Sequence, residues 1–223
     1  MMMKVLGNLM IIFGVGVIIY LMAGQYIQEA KTARLVEEFV QLPFEELNEA
    51  LPDAIEIAEL AEASPVYEIG DVLAILEIPK IDLAVPIVHG AGTEQLSAAV
   101  GHLAESGDLG ETGANFAIAG HRSATFGQFF NRLDELEPGD GFIVRTPTET
   151  YSYAIVNKTV VMPTDVQVID PVESKSLVTL ITCHPFRSNK KRLIVGAELV
   201  EHKPGDAAAS AGLSQLNIGK HKF

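Results

Sequence analysis

The 223-residue chain contains one cysteine, Cys183, and is short of positive charge: 16 Lys and Arg stand against 29 Asp and Glu, a formal net charge of -13. A lone cysteine cannot close an intrachain disulfide, so its count neither requires nor excludes an oxidising compartment. The acidic balance excludes nucleic acid as a partner, because phosphate binding needs a basic surface. No Cys and His pair has zinc-type spacing, which leaves no metal site legible. The glycine-containing stretch "GAGTEQ", residues 90–95, lacks the third glycine of a dinucleotide fingerprint, and no other cofactor motif occurs. There is no internal repeat.

What is present begins with an uncharged run, "VLGNLMIIFGVGVIIYLMA", residues 5–23. As a helix it would extend roughly 28 Å at 1.5 Å per residue, enough to cross a bilayer. No small-x-small cleavage site follows it, so an uncleaved anchor is expected in place of a signal peptide. Lys4 lies on one side and Lys31 and Arg34 on the other, so positive charge alone does not orient it. Residues 35–79 then hold twelve Asp or Glu and no Lys or Arg, broken by Pro43, Pro52 and Pro65. Short acidic helices restarted at proline are expected there, forming a solvated stalk or an appendage folded over a site.

From Val72 the pattern changes to short apolar segments between turn residues, among them "VLAILEIPKI", "ANFAIAGHR", "TYSYAIVNKTVVMP", "SLVTLITC" and "RLIVGAELV". Their length, β-branched content and partial alternation predict strands. Two helical stretches are expected between them, "TEQLSAAVGHL" and "FGQFFNRLDEL". Many short strands with few helices predict a closed or nearly closed barrel. Beyond His202 the chain is small and polar, the composition of a disordered tail.

The cysteine stands at the end of an apolar run, followed within nine positions by Arg187, Lys190, Lys191 and Arg192. If the strands on either side of residues 184–191 pair antiparallel, Cys183 and Arg192 lie at the same end of the sheet. A thiol with the reference pKa of about 8.5 is only a few per cent thiolate at pH 7, so a nucleophile benefits from nearby positive charge or a His partner. Arginine can donate to an oxyanion or a substrate carbonyl but cannot be the base. Of six histidines, His202 and His221 lie in or beside the tail, and His89 and His102 sit in or near apolar segments, as structural histidines do. His184 neighbours the cysteine but on an extended strand points to the opposite face, and is expected to shape the loop. His121 leaves a strand end after "ANFAIAG" and is the favoured base.

The stretches "TLITC" at 179–183, "RLIV" from Arg192, "AGHR" at 119–122 and "PTDVQVI" at 163–169 resemble a sortase, a membrane-anchored cysteine transpeptidase of Gram-positive bacteria. The resemblance covers roughly residues 72–200. "TCHPF" and "GHRSATFGQFFNRLDEL" are more similar to the class D and class E groups. The resemblance implies a mainly β fold, a closed eight-stranded barrel with a few short helices behind an N-terminal transmembrane helix. It implies Cys183 as nucleophile, His121 as general acid/base and Arg192 as stabiliser of substrate and oxyanion. It further implies cleavage of an LPXTG-like or LAXTG-like sorting signal between Thr and Gly through a thioester, which a cell-wall precursor amine resolves. The partners are then surface proteins bearing that signal, and the catalytic domain lies outside a single-pass membrane anchor. Some sortases bind calcium, but no residues here can be assigned to it, and no cofactor is expected. The expected organisation is a cytoplasmic segment 1–4, an anchor 5–23, an acidic stalk 24–71, a catalytic barrel 72–202 and a tail 203–223. From the residues alone, a membrane-tethered cysteine hydrolase and a non-catalytic peptide-binding barrel stay open beside the transpeptidase.

Overall fold

The computed structural model describes residues 67–123 and 129–204, together with Phe13 and Gly16, both helical. The anchor at 5–23 apart from those two positions, the acidic stretch up to residue 66, and the tail from residue 205 lie outside the described residues. Among the described residues no helix is long and apolar enough to cross a membrane.

Among the described residues eight strands are formed: β1 (Val72–Ile78), β2 (Leu83–His89), β3 (Val100–His102), β4 (Ala114–Ala119), β5 (Gly141–Arg145), β6 (Glu149–Val161), β7 (Ser176–His184) and β8 (Lys191–Pro204). They close into a barrel in the order β1-β2-β3-β4-β7-β8-β6-β5, with β5 returning to β1. Closure removes the exposed edges that an open sheet of this size would present. The expected closed eight-stranded barrel is therefore observed. The pairs β2–β3 and β4–β7 are parallel and the other six antiparallel.

Alternation sets which side chains fill the barrel. On β6, Tyr151, Tyr153 and Ile155 are buried, while Ser152 and Ala154 between them are not. On β7, Val178 and Leu180 join the central core with Leu76, Phe116, Phe142 and Val195. That parity leaves Thr179, Ile181 and Cys183 on the opposite, outer face of β7. Thr179 is nonetheless buried, because it donates to Asn115 Oδ1 at 2.8 Å and the 310 turn Val166–Ile169 covers the pair.

Both expected helices are corrected. In "TEQLSAAVGHL" only Thr93–Leu96 is helical (α1), and Val100–His102 is strand β3. The reason is tertiary: β3 lies parallel to β2, and a Cβ on Gly101 would come within 2.4 Å of the Gly90 carbonyl oxygen. Glycine permits that approach, and the strand partner overrides local helix preference. In "FGQFFNRLDEL" the described part consists of turns and a three-residue 310 helix, Leu133–Glu135. Its buried Phe130, Leu133 and Leu136 plug the barrel core instead of lining a regular amphipathic helix.

Candidate active site

β7 ends in Cys183 and His184, and β8 begins at Lys191 and Arg192. The two strands are antiparallel, with Cys183 directly opposite Arg192 and His184 opposite Lys191. The geometric expectation that the thiol and the guanidinium share one end of the sheet is met. The reason is local: six loop residues, 185–190, return the chain so that strand-end residues face each other. Cys183 is partly buried and free. Arg192 is also partly buried, and its Nη1 donates to the carbonyl oxygens of Asn189 and Lys191, both at 3.0 Å. Those bonds anchor one guanidinium nitrogen to the loop. Arg187, Lys190 and Lys191 are exposed, and Arg187 lies over the Phe186 ring at 5.4 Å. Of the four basic residues that follow the cysteine, Arg192 is the one in cross-strand register with it.

His121 arrives by a longer route. β4 runs parallel to β7 with Ala119 opposite Ile181. The ladder continues one step further, since Gly120 N–H donates to the Ile181 carbonyl at 3.0 Å. The buried Thr182 hydroxyl then donates to the Gly120 carbonyl at 2.8 Å. Extending that register by one residue sets His121 alongside Cys183. Gly120 is required there, because a Cβ would meet the Phe130 ring at 2.6 Å. The Phe130 N–H donates to the His121 carbonyl at 3.0 Å, so the backbone of the histidine is fixed while its side chain is exposed.

The other histidines are placed differently. His102 is 4% exposed, stacks on Phe116 with ring centroids 4.1 Å apart, and lies 3.0 Å from Ser106 Oγ through Nε2. Ser106 spends its own proton on the Leu103 carbonyl at 2.7 Å, which assigns the proton of this contact to His102 Nε2. Burial, aided by neighbouring His89, pushes the His102 pKa down to about 4, so the ring is neutral at physiological pH. His89 is its parallel partner on β2, with ring centroids 5.7 Å apart. His202, on β8, stacks on Tyr151 and contacts Glu149 at 3.2 Å. His89 and His102 thus belong to one ring cluster with Phe116, whereas His202 is exposed and lies against Tyr151.

Sequence reasoning passed over Arg122. Its side chain is only 7% exposed, forms an ion pair with Asp134 at 2.8 Å and donates from Nη1 to His184 Nδ1 at 3.1 Å. The signal was an arginine directly after the candidate base, in "GHRS". Among the described residues no cluster of three or more His, Cys, Asp or Glu could hold a metal ion. The arrangement as a whole offers a thiol, an imidazole and a guanidinium at one barrel end. That set can attack a carbonyl, move a proton and stabilise an oxyanion.

Comparison with known proteins decides the family. The family model described as "Sortase domain" matches residues 76–200, more than half of the chain. The chain belongs to the sortase family. This family consists of cysteine transpeptidases, and the matched segment runs from within β1 to within β8. Over 152 residues the chain is 37% identical to Sortase SrtE1 of Streptomyces coelicolor, covering 62% of this chain and 43% of that relative. The chain thus corresponds to less than half the length of that protein. A solved Sortase D5 transpeptidase from Clostridium perfringens superposes with a TM-score of 0.60 at 28% identity, covering 77% of this chain and 99% of that one. Sortase E1 from Streptomyces coelicolor, solved with a tripeptide in the active site, gives 0.55 at 35% identity, covering 61% and 96%. The likeness to sortases of the D and E kinds agrees with the resemblance carried by "TCHPF" and "GHRSATFGQFF".

Proposed function

We propose that this sortase cleaves an LPXTG-like or LAXTG-like sorting signal between Thr and Gly and transfers the surface protein to a cell-wall amine. Cys183 is the nucleophile, His121 the general acid/base and Arg192 the oxyanion and substrate donor. The observation that carries the reading is the direct cross-strand pairing of Cys183 with Arg192, beside the strand exit that delivers His121. The Cys183 thiolate adds to the threonine carbonyl carbon, and the oxygen that takes the charge receives hydrogen bonds from Arg192. The C–N bond then breaks, and the glycine amine leaves with a proton from His121. An incoming amine attacks the thioester, gives its proton to His121, and expels the Cys183 thiolate as the new amide forms. Splitting one amide exchange into two steps avoids a single high barrier.

The uncharged run at 5–23 anchors the chain in the membrane as a single-pass protein, with the barrel on the extracellular face where sorting signals and cell-wall precursors meet. The acidic segment between anchor and barrel supplies reach. The bound tripeptide named for the Streptomyces coelicolor Sortase E1 structure supports a peptide substrate for a barrel of this kind.

Mass spectrometry of the protein incubated with LPXTG and LAXTG peptides tests the reading. A thioester adduct on Cys183 that disappears when an amine is added, with formation of the new amide, is the expected result. An adduct resolved by water at the same rate with or without amine would make the chain a cysteine hydrolase. No adduct with either peptide, despite binding, would make it a peptide-binding barrel.

A further inference from the structure

We propose that Arg122 is a positioning residue: through His184 it ties the chain after β4 to the end of β7, and so holds His121 in register with Cys183. The inference rests on the reading of Cys183 and His121 given above. The parallel β4–β7 ladder has an offset of 62 residues, seen in the bond from Thr182 to the Gly120 carbonyl. Strand β4 ends at Ala119 and the last backbone bond to β7 is made by Gly120. His121 and Arg122 therefore continue past the ladder, while among the described residues Cys183 and His184 pair only with β8, on their other side. The Arg122–His184 contact spans the same offset of 62 residues and closes this open end with side chains in place of backbone.

The chemistry of the contact is directional. A guanidinium only donates, so His184 Nδ1 must present its lone pair, and the ring carries its proton on Nε2. The planar fork of arginine serves two partners at once, Asp134 through Nη2 and His184 through Nη1. A lysine ammonium has donors enough for two partners but lacks the fixed planar spacing of Nη1 and Nη2. The third nitrogen, Nε, is buried with no hydrogen-bond partner among the described residues. A buried charge with an unsatisfied donor is poorly explained by stability alone, since desolvating the guanidinium is costly and its carboxylate partner Asp134 is itself half exposed. Placement explains it better: each partner of the contact is the immediate neighbour of one reacting residue.

The test compares steady-state kinetics and thermal midpoints of the full chain with Arg122→Met, Arg122→Lys, His184→Phe, His184→Asn and Asp134→Asn, using a sorting-signal peptide and an amine. A register slip of about 1 Å at the reacting pair typically costs on the order of 100-fold in rate. Arg122→Met and His184→Phe are expected to lower kcat by about 10- to 100-fold with KM changed by less than about threefold. His184→Asn, whose side-chain oxygen can accept where Nδ1 did, should recover most of that loss. Arg122→Lys should keep the Asp134 pair and the thermal midpoint but not kcat. Asp134→Asn should leave kcat unchanged. The inference is overturned if His184→Phe retains wild-type kcat, or if Asp134→Asn costs as much kcat as Arg122→Met. Cys183→Ala and His121→Ala, measured alongside, separate the two levels. Full turnover in either would sink the underlying reading and this inference with it. Loss in both, beside wild-type kcat in the Arg122 and His184 variants, would sink this inference alone.

Discussion

Two histidines, one on β3 and one just past its neighbour β4, show how different the surroundings of the same side chain can be. His102, on β3, is buried against Phe116 and hydrogen-bonded to Ser106, with its pKa driven down to about 4. His121 follows the neighbouring strand β4 and is exposed, with its backbone pinned by Phe130 and no ring stacked on it among the described residues. A packed, neutral ring contributes cohesion, whereas a ring free to reach solvent and substrate can exchange protons. The lesson is that surroundings, more than residue type, separate a structural histidine from a chemical one.

Removing the reacting groups should break this comparison most sharply. Cys183→Ala should abolish adduct formation, and His121→Ala should lower turnover by about 1,000-fold or more, each with the thermal midpoint little changed. His102→Ala should do the opposite, costing about 2 to 4 kcal/mol of stability through a cavity beside Phe116 while the folded fraction keeps its rate. Calorimetry and single-turnover acylation on the three variants check both halves. A rate loss confined to His102→Ala would mean that the roles are reversed.

Arg192→Lys probes the partner across the sheet. If Arg192 donates from a fixed fork, acylation should fall by about 100-fold, whereas a contribution of charge alone should be mild, screened by salt and shared by Lys191→Ala. Acylation rates at low and high salt distinguish the two.

The buried histidine also makes a pH prediction whose sign is fixed. Unfolded, His102 titrates near 6.5; folded, it resists protonation until about pH 4. Between those values the unfolded chain binds more protons, so stability falls as pH falls and rises as pH rises. This one group accounts for about 3 kcal/mol lost from pH 6.5 to pH 4. Denaturant midpoints of wild type and His102→Phe, followed over that range, should show the wild type losing stability relative to the variant on acidification, because the variant has nothing to protonate at this position.

The smallest effect is expected from shortening the chain. Residues 67–71 are tied to β2, with Gly70 N–H donating to the His89 carbonyl at 2.9 Å and His89 N–H to the Asp71 carbonyl at 2.8 Å. A chain beginning at Val66 keeps those bonds and should fold with turnover within about twofold of the full chain, a stalk contributing reach and not chemistry. A clear rise in turnover would instead make the acidic segment a cover over the site.

The strands of the barrel were legible where alternation is strong, as in Tyr151, Tyr153 and Ile155, and where apolar runs are bounded by turn residues. They were not legible at β3, where Val100-Gly101-His102 reads as the end of a helix until β2 lies beside it. In the candidate site, Cys183 and Arg192 could be brought together from sequence because only a short loop separates them, so strand pairing leaves them little choice. Arg122 could not be read, since its partners Asp134 and His184 are recruited by packing and its position in "GHRS" carries no periodic signal.

The sequence by itself determined the strand-forming segments, the cysteine at a strand end and the arginine that faces it, because these depend on local pattern and a short connection. Only the tertiary structure decided that β4 lies beside β7. The strand exit that carries His121 is set next to the cysteine-bearing strand end by a parallel pairing of strands 62 residues apart, and a parallel ladder leaves no signature in either strand alone: its register is set by barrel closure and by side chains such as Thr182 that bond across it.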